Sequence, residues 1–224
     1  MPFRRNVYRR AVEQYCRCWQ TTDRKLYALC RQYPGHDDEA GVNAKLWLIG
    51  RGYATGIERQ ITADGRQGGS MRRLSRLLLR RHRRLDRLFS ELRLVRQPLT
   101  ETKLETIIDV HRRFMALVQP VVRADESPRS FCSKYMHFHC PAVPIFDSRA
   151  ESACRSVVPW QADFWLFDPR AGTDRTFARY VFRFWQLYQQ ACAAGGTSRQ
   201  QTWVVDTHPA RWENPLQPAN GGRG

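Results

Sequence analysis

Lysine is nearly absent from this 224-residue chain: Lys25, Lys45, Lys103 and Lys134 are the only four among its 37 basic residues. The other 33 are arginines. Acids are scarce as well, 21 against 37 bases, which leaves a net charge of +16 and a sequence pI near 10.3. No apolar run approaches the ~20 residues of a membrane-spanning helix. The opening MPFRRNVYRR is basic but lacks the apolar stretch of a secretory signal. There is no internal repeat and no alternating run that demands a strand. Val143 to Phe146 is the one small β-like stretch after residue 61. The seven cysteines, Cys16, Cys18, Cys30, Cys132, Cys140, Cys154 and Cys192, are odd in number and show no zinc-ribbon pairing. These absences exclude a membrane span and a disulfide-stapled secreted module. They imply a reducing, cytoplasmic compartment.

What is present is enough to build a core. Hydrophobic content of 42% and aromatic content of 12% exclude a disordered basic tail. The length suits one large domain or two small lobes. Guanidinium forks bind phosphate oxygens two at a time, so the arginine excess points to a polyanion. A nucleic acid is the polyanion these numbers favour, and the chain is expected to act as a monomer with no membrane partner.

Periodicity predicts a mostly α chain. Residues 4–32 carry Val7, Val12, Tyr15, Trp19, Leu26 and Leu29 at helical spacing, and Tyr33-Pro34-Gly35 stops that helix. A second helix is expected over residues 42–61. After a glycine-rich turn, Leu74, Leu78, Leu85, Leu88, Leu92 and Val95 form the seam of one amphipathic helix from Met71 to Gln97. Its other faces carry Arg72, Arg73, Arg76, Arg80, Arg81, Arg83, Arg84, Arg87, Arg93 and Arg96 against only Asp86 and Glu91. Charge so one-sided calls for an anionic partner, and the stretch fits a clamp on a duplex backbone. Thr100 is placed to cap the next helix, and Gln119-Pro120 weakens its end. Ser127-Pro128 reads as the cap and first residue of a helix through Phe138. Ser148 with Glu151 reads as a capping box. A helix is expected over residues 174–194 and a short one from Ser198 to Asp206. Residues 157–173 read as irregular but aromatic, and the tail beyond His208 as disordered.

Three segments carry candidate chemistry. In KLWLIGRGYATGIERQ, Lys45 to Gln60, the glycines miss the spacing of a dinucleotide loop. The segment reads instead as a helix whose Gly50, Gly52 and Ala54 allow close approach. Its Arg51, Tyr53, Glu58 and Arg59 serve either an ion-pair network or a ligand pocket. Cys132, His137, His139 and Cys140 resemble metal ligands in type, but adjacent His139 and Cys140 point about 100° apart on a helix, so no metal site is assigned. Lys134 sits in the first turns of a helix between apolar neighbours. Desolvation and a helix N-terminus both lower an amine's pKa, which suits a nucleophile. Asp147, 13 residues on, opens the next helix, where a carboxylate stabilises a cationic sugar or takes up a proton. The plainer alternatives are a surface phosphate contact for Lys134 and a helix cap for Asp147.

The stretch SKYMHFHCPAVPIFDS, Ser133 to Ser148, resembles the heart of the helix-hairpin-helix DNA glycosylases. That superfamily sets a lysine at the start of the hairpin's second helix and an essential aspartate after a proline-containing approach. The wording is most similar to bacterial proteins with an 8-oxoguanine-glycosylase fold, and GRGYATGIER near Gly50 also looks like that group. The two stretches cover under a quarter of the chain. Where the usual hairpin has a glycine-containing loop, this chain has Ser130-Phe131-Cys132-Ser133. The resemblance implies a two-lobed helical fold over residues 1–207, with a cleft between lobes that divide near residues 98–126. It implies excision of a modified base from DNA without metal or cofactor, with Lys134 and Asp147 catalytic. Strand cleavage by β-elimination is implied where Lys134 forms an imine. Some bacterial glycosylases of this broad type look like phage-defence enzymes, so the resemblance also implies action on hypermodified viral bases such as glucosylated hydroxymethylcytosine.

On that reading, Trp47 and Tyr53, or Phe138, would sandwich the flipped base. His137, His139, Arg51, Glu58 and Arg59 would read its polar edge. The DNA backbone would be held by Arg72, Arg73, Arg76, Arg80, Arg81 and Arg84, with Ser130 and Ser133 at the helix start. Two alternatives stay open. A non-catalytic DNA-binding protein needs only the arginine helix. A metal-dependent nuclease would need Asp109, Asp125 and Glu126.

Overall fold

The computed structural model describes residues 13–14, 16–62, 69–96, 98–158 and 170–195. Among the described residues the regular structure is helical, and the one β feature is an isolated antiparallel bridge between Ile61 and Val122. The helix expected from Ser198 to Asp206, the tail beyond His208 and most of the aromatic stretch 157–173 lie outside the described residues. No helix among the described residues is long and apolar enough to cross a membrane.

The first long helical stretch breaks at Trp19, after which α1 spans Gln20–Gln32. The helix α2, Glu39–Gly52, starts where the Asp38 carboxylate accepts from the Gly41 amide at 2.5 Å. The helix expected over residues 42–61 is therefore interrupted. A turn at residues 53–56 follows α2, in which Ala54 (φ 47°) and Gly56 (φ 73°) are both left-handed. A short α3, Ile57–Gln60, closes the segment. Gly50 does allow close approach, since a Cβ there would lie 3.1 Å from Met71 Cε. Gly52 does not, having open space where its Cβ would be.

The arginine-rich stretch forms two helices, α4 over Gly69–Arg80 and α5 over His82–Arg93, in place of the single one expected. Their seam is as read: Leu74, Leu78, Leu85, Leu88 and Leu92 are all buried. The break at Arg81 lets the halves face different partners, α4 packing on α2 and α5 on α6 (Glu101–Val118). His82 Nδ1 donates to the Leu79 carbonyl at 2.8 Å, satisfying an acceptor freed there.

Thr100 precedes α6 without a side-chain cap bond, and a 3-10 turn, Gln119–Val121, continues past the helix. The helix α7, Arg129–His139, begins one residue later than the sequence implied, and the Ser127 hydroxyl makes no cap bond. Asp147, not Ser148, caps α8 (Ser148–Val157), and Glu151 pairs with Arg155 and Arg183 rather than closing a capping box. The last described helix is α9, Arg175–Gly195, at the position expected.

α7 is the hub of the packing. It touches α1, α2, α5 and α6, while α9 lies across α8 and α6. Phe131, Cys132, Ser133, Tyr135 and Met136 are fully buried in one apolar cluster that runs from Leu26 to Phe182. A helix enclosed on so many sides has its side chains fixed by packing, which suits it to hold polar groups in place.

Candidate functional site

Lys134 lies on α7, between the buried Ser133 and Tyr135, and is 5% exposed. Its Nζ donates to the backbone carbonyl of Tyr53 at 2.9 Å, in the turn after α2. Burial lowers the amine's pKa, and the nearby Asp147 carboxylate opposes that shift. The lysine is thus desolvated yet held by one neutral acceptor and influenced by one acid.

Asp147 is partly buried, and its Oδ1 accepts from the Ala150 amide at 2.7 Å as the cap of α8. The residue next to each of the two meets the other's neighbour. Ser133 Oγ accepts from the Phe146 amide at 3.1 Å and contacts the Ser130 carbonyl at the same distance. This clamp fixes the approach to Asp147 against the helix that carries Lys134. Ser133 was expected at the DNA backbone. Fully buried and engaged inside the fold, it is corrected to an internal fastener. Ser130 is partly exposed near the start of α7.

The three residues after Met136 part company. His137 Nδ1 donates to the Val143 carbonyl at 2.7 Å, which leaves Nε2 to accept from Tyr27 Oη at 2.5 Å. Burial pushes His137 down to about 4, outweighing the Val143 carbonyl, so both ring nitrogens are occupied in a neutral imidazole. Phe138 is 2% exposed and packs between Tyr27 and Tyr53. His139 turns to the opposite side, against His36, Phe89 and Tyr135. His137 has both ring nitrogens engaged within the fold and Phe138 is a core residue, which corrects their expected contacts with a base, whereas the His139 Nε2 makes no hydrogen bond. Helical spacing explains the split, because residues 137 and 139 lie about 200° apart around α7.

Tyr53 is partly exposed, with its ring against Phe138 and Trp19. Its hydroxyl is buried without a hydrogen-bond partner. The other residues of that segment form a separate group. Arg51 lays its guanidinium 4.1 Å from the Trp47 ring centroid and donates from Nε to Glu58 Oε1 at 2.9 Å. Arg59 is exposed. Arg51 and Glu58 thus form an ion pair at the surface.

On α4 and α5 the two acids turn away from the arginines around them. Asp86 pairs with the buried His36 at 2.6 Å, and Glu91 pairs with Arg113 of α6. Arg72, Arg76, Arg80, Arg81, Arg83, Arg84 and Arg87 are exposed, and none pairs with a carboxylate among the described residues. Arg73 is the exception, donating from Nη1 to Thr62 Oγ1 at 2.6 Å. The carboxylates considered for a nuclease do not gather. Asp109 binds Arg112, Arg113 and Arg170, while Asp125 and Glu126 pair with Arg123.

Sequence reasoning missed Lys45 and Tyr27. Lys45 is fully buried and donates to the Tyr33 and Gly35 carbonyls, both at 2.9 Å, closing the end of α1. Burial lowers it to about 8 and raises nearby Cys30 to about 12. Tyr27 had a readable signal, an aromatic at helical spacing from Trp19, but its partner lies 110 residues away. Comparison with family models, with curated proteins and with solved structures finds no match for this chain.

Proposed function

We propose that the chain is a DNA glycosylase that flips a modified nucleobase out of the stack and excises it. The observation that supports this best is Lys134: a desolvated amine on the central helix, with its pKa lowered, in the field of a carboxylate held at the start of the next helix. The exposed arginines of α4 and α5 would grip phosphates irrespective of sequence. The target nucleotide would enter a cleft between two helical lobes near Tyr53. As the bond from C1′ to the base breaks, the base leaves with the bonding electrons and Asp147 stabilises the electron-poor sugar. The Lys134 amine, once deprotonated, then attacks C1′. Loss of its protons and ring opening give an imine, from which β-elimination breaks the 3′ phosphate ester bond. Where water attacks in place of Lys134, the product is an abasic site on an intact strand. A hypermodified viral base is the substrate that the resemblance favours.

The test is incubation with a panel of genomic DNAs, phage DNAs with modified bases included, and mass spectrometry of what is released. Release of one base from one DNA class is expected. Borohydride should trap the protein on that DNA, and absence of the adduct with a confirmed substrate removes the lyase step. Release from none of the DNAs leaves the second reading, a non-catalytic DNA-binding protein. One observation favours that reading: Lys134 and Asp147 each already hold a partner within the fold.

A further inference from the structure

We propose that Trp47 and Arg51 form a stacking platform for an unpaired nucleobase, separate from the Lys134 site, which gives the protein a preference for single-stranded or locally opened nucleic acid. The inference rests on the reading of the chain as nucleic-acid-binding, though not on base excision.

Large aromatic side chains are usually covered, yet Trp47 is 41% exposed and its neighbour Leu48 is 48% exposed. They lie on a helix whose other side is sealed, since Lys45, Leu46, Ile49 and Gly50 are buried. One face of the Trp47 indole is occupied by the Arg51 guanidinium one turn along the helix, 4.1 Å from the ring centroid. That guanidinium is itself anchored, because its Nε donates to Glu58 at 2.9 Å. Glu58 stands in α3, whose start is set by the left-handed Gly56. The indole is thus backed by a cation whose position the turn holds. No aromatic ring among the described residues covers its other face. Beyond it, Gly52 leaves open space beside Leu48, where a Cβ would meet nothing within 4 Å.

The occupant is argued from charge and shape. No acid occurs between Ala40 and Ile57, Glu58 is neutralised by Arg51, and Arg59 beside it is exposed. A flat ligand carrying negative charge fits a partly exposed indole backed by the Arg51 guanidinium, and every nucleobase on a phosphodiester strand is one. A paired base has both faces covered by its stack, so only an unpaired base can reach the platform. Trp47 precedes Tyr53 by six residues, which places it roughly 9 Å along the helix axis and roughly 120° around it from the turn that holds Lys134. The platform therefore serves a different nucleotide from the one that would enter at Tyr53.

The test is equilibrium binding of the full chain to a labelled ten-nucleotide oligothymidylate, followed by anisotropy. The comparisons are oligouridylate of the same length, the thymidylate in duplex form, an abasic strand of the same length and charge, and phosphatidylserine vesicles. The thymidylate should bind more tightly than the duplex and the abasic strand. Oligouridylate binding as tightly assigns the platform to either nucleic acid, and weaker binding assigns it to DNA; both support it. Trp47→Ala should weaken the thymidylate complex about 5- to 150-fold and leave the abasic strand unaffected, with Trp47→Phe recovering most of the loss. Equal loss on the abasic strand, no loss at all, or a Trp47-dependent preference for vesicles overturns the proposal. Failure of base release with the thymidylate preference intact counts against the glycosylase alone.

Discussion

Lys134 and Tyr53, 81 residues apart in the chain, meet through one hydrogen bond from Nζ to the backbone carbonyl at 2.9 Å. The bond ties the central helix to a turn that contains a left-handed non-glycine residue, Ala54. A strained turn persists only where its surroundings hold it. Lys134→Met keeps the aliphatic stem but leaves the Tyr53 carbonyl without its donor. We expect a loss of about 1–3 kcal/mol in denaturant unfolding and no borohydride-trapped adduct on a confirmed substrate. An adduct that persists in the methionine variant would assign the nucleophile elsewhere.

Asp147 caps α8, and substitution separates that cap from the role proposed for it in base excision. Asparagine at this position keeps an oxygen for the Ala150 amide and caps helices about as well as aspartate, whereas alanine does not. Asp147→Asn should leave the unfolding midpoint nearly unchanged while base release drops about 100- to 10,000-fold. Asp147→Ala should lose about 0.5–2 kcal/mol in addition. Excision at the wild-type rate by the asparagine variant would show that the carboxylate is a cap and nothing more.

Ser133 is predicted to matter for stability and not for DNA affinity. Its hydroxyl is the acceptor for the Phe146 amide, and both are buried. Ser133→Ala should cost about 1–3 kcal/mol, as an amide loses its partner away from water. Nonspecific duplex affinity of the folded variant should match the parent. A drop in affinity at unchanged stability would return Ser133 to the backbone interface.

Local pattern made the long elements legible and left the site mostly illegible. The leucine seam from Leu74 to Leu92 and the final helix near Arg175–Gly195 follow from spacing alone. The break at Arg81 does not, because it arises from two helices each needing a different neighbour. Lys134 was readable as a desolvated amine from its apolar flanks. Its partner at Tyr53 was not, since that contact is made only when α2 and α7 pack. His137 and His139 show the same limit. Both read as polar edges in the sequence, and tertiary packing set each among aromatic rings on its own side of the helix.

The arginine face makes a quantitative claim about salt. Arg72, Arg76 and Arg80 recur at one-turn spacing on α4, and Arg83, Arg84 and Arg87 continue on α5. If each contacts one phosphate, removing one lowers the slope of log affinity against log salt by about 0.9. Arg76→Ala with Arg84→Ala should therefore lower the slope by about 1.8 on any duplex sequence. Since both side chains are exposed, thermal stability should stay within about 0.5 kcal/mol of the parent. An unchanged slope would place the DNA on another face.

Acid should unfold the protein through its histidines before its paired carboxylates protonate. Burial brings His36, His111 and His137 from an ordinary value of 6.5 to about 4, and holds His139 well below 6.5. Unfolded, each takes up a proton near pH 6.5; folded, His36, His111 and His137 stay neutral until about 4. The unfolded state therefore binds more protons throughout that window. The stability is intact above pH 6.5 and drains as the pH falls toward 4, on the order of 1–3 kcal/mol per histidine. Asp86 and Asp109, both held below their ordinary value, lose their contribution only in stronger acid. The thermal midpoint should fall by about 10 °C or more between pH 7 and pH 4.5. A His137→Asn variant, compared with the parent over the same range, should show a shallower fall, since one of the depressed groups is gone. A midpoint that stays flat from pH 7 to pH 4.5 would mean that these imidazoles are solvated and that the polar core around α7 is looser than the hydrogen bonds from Tyr27 and to Val143 require.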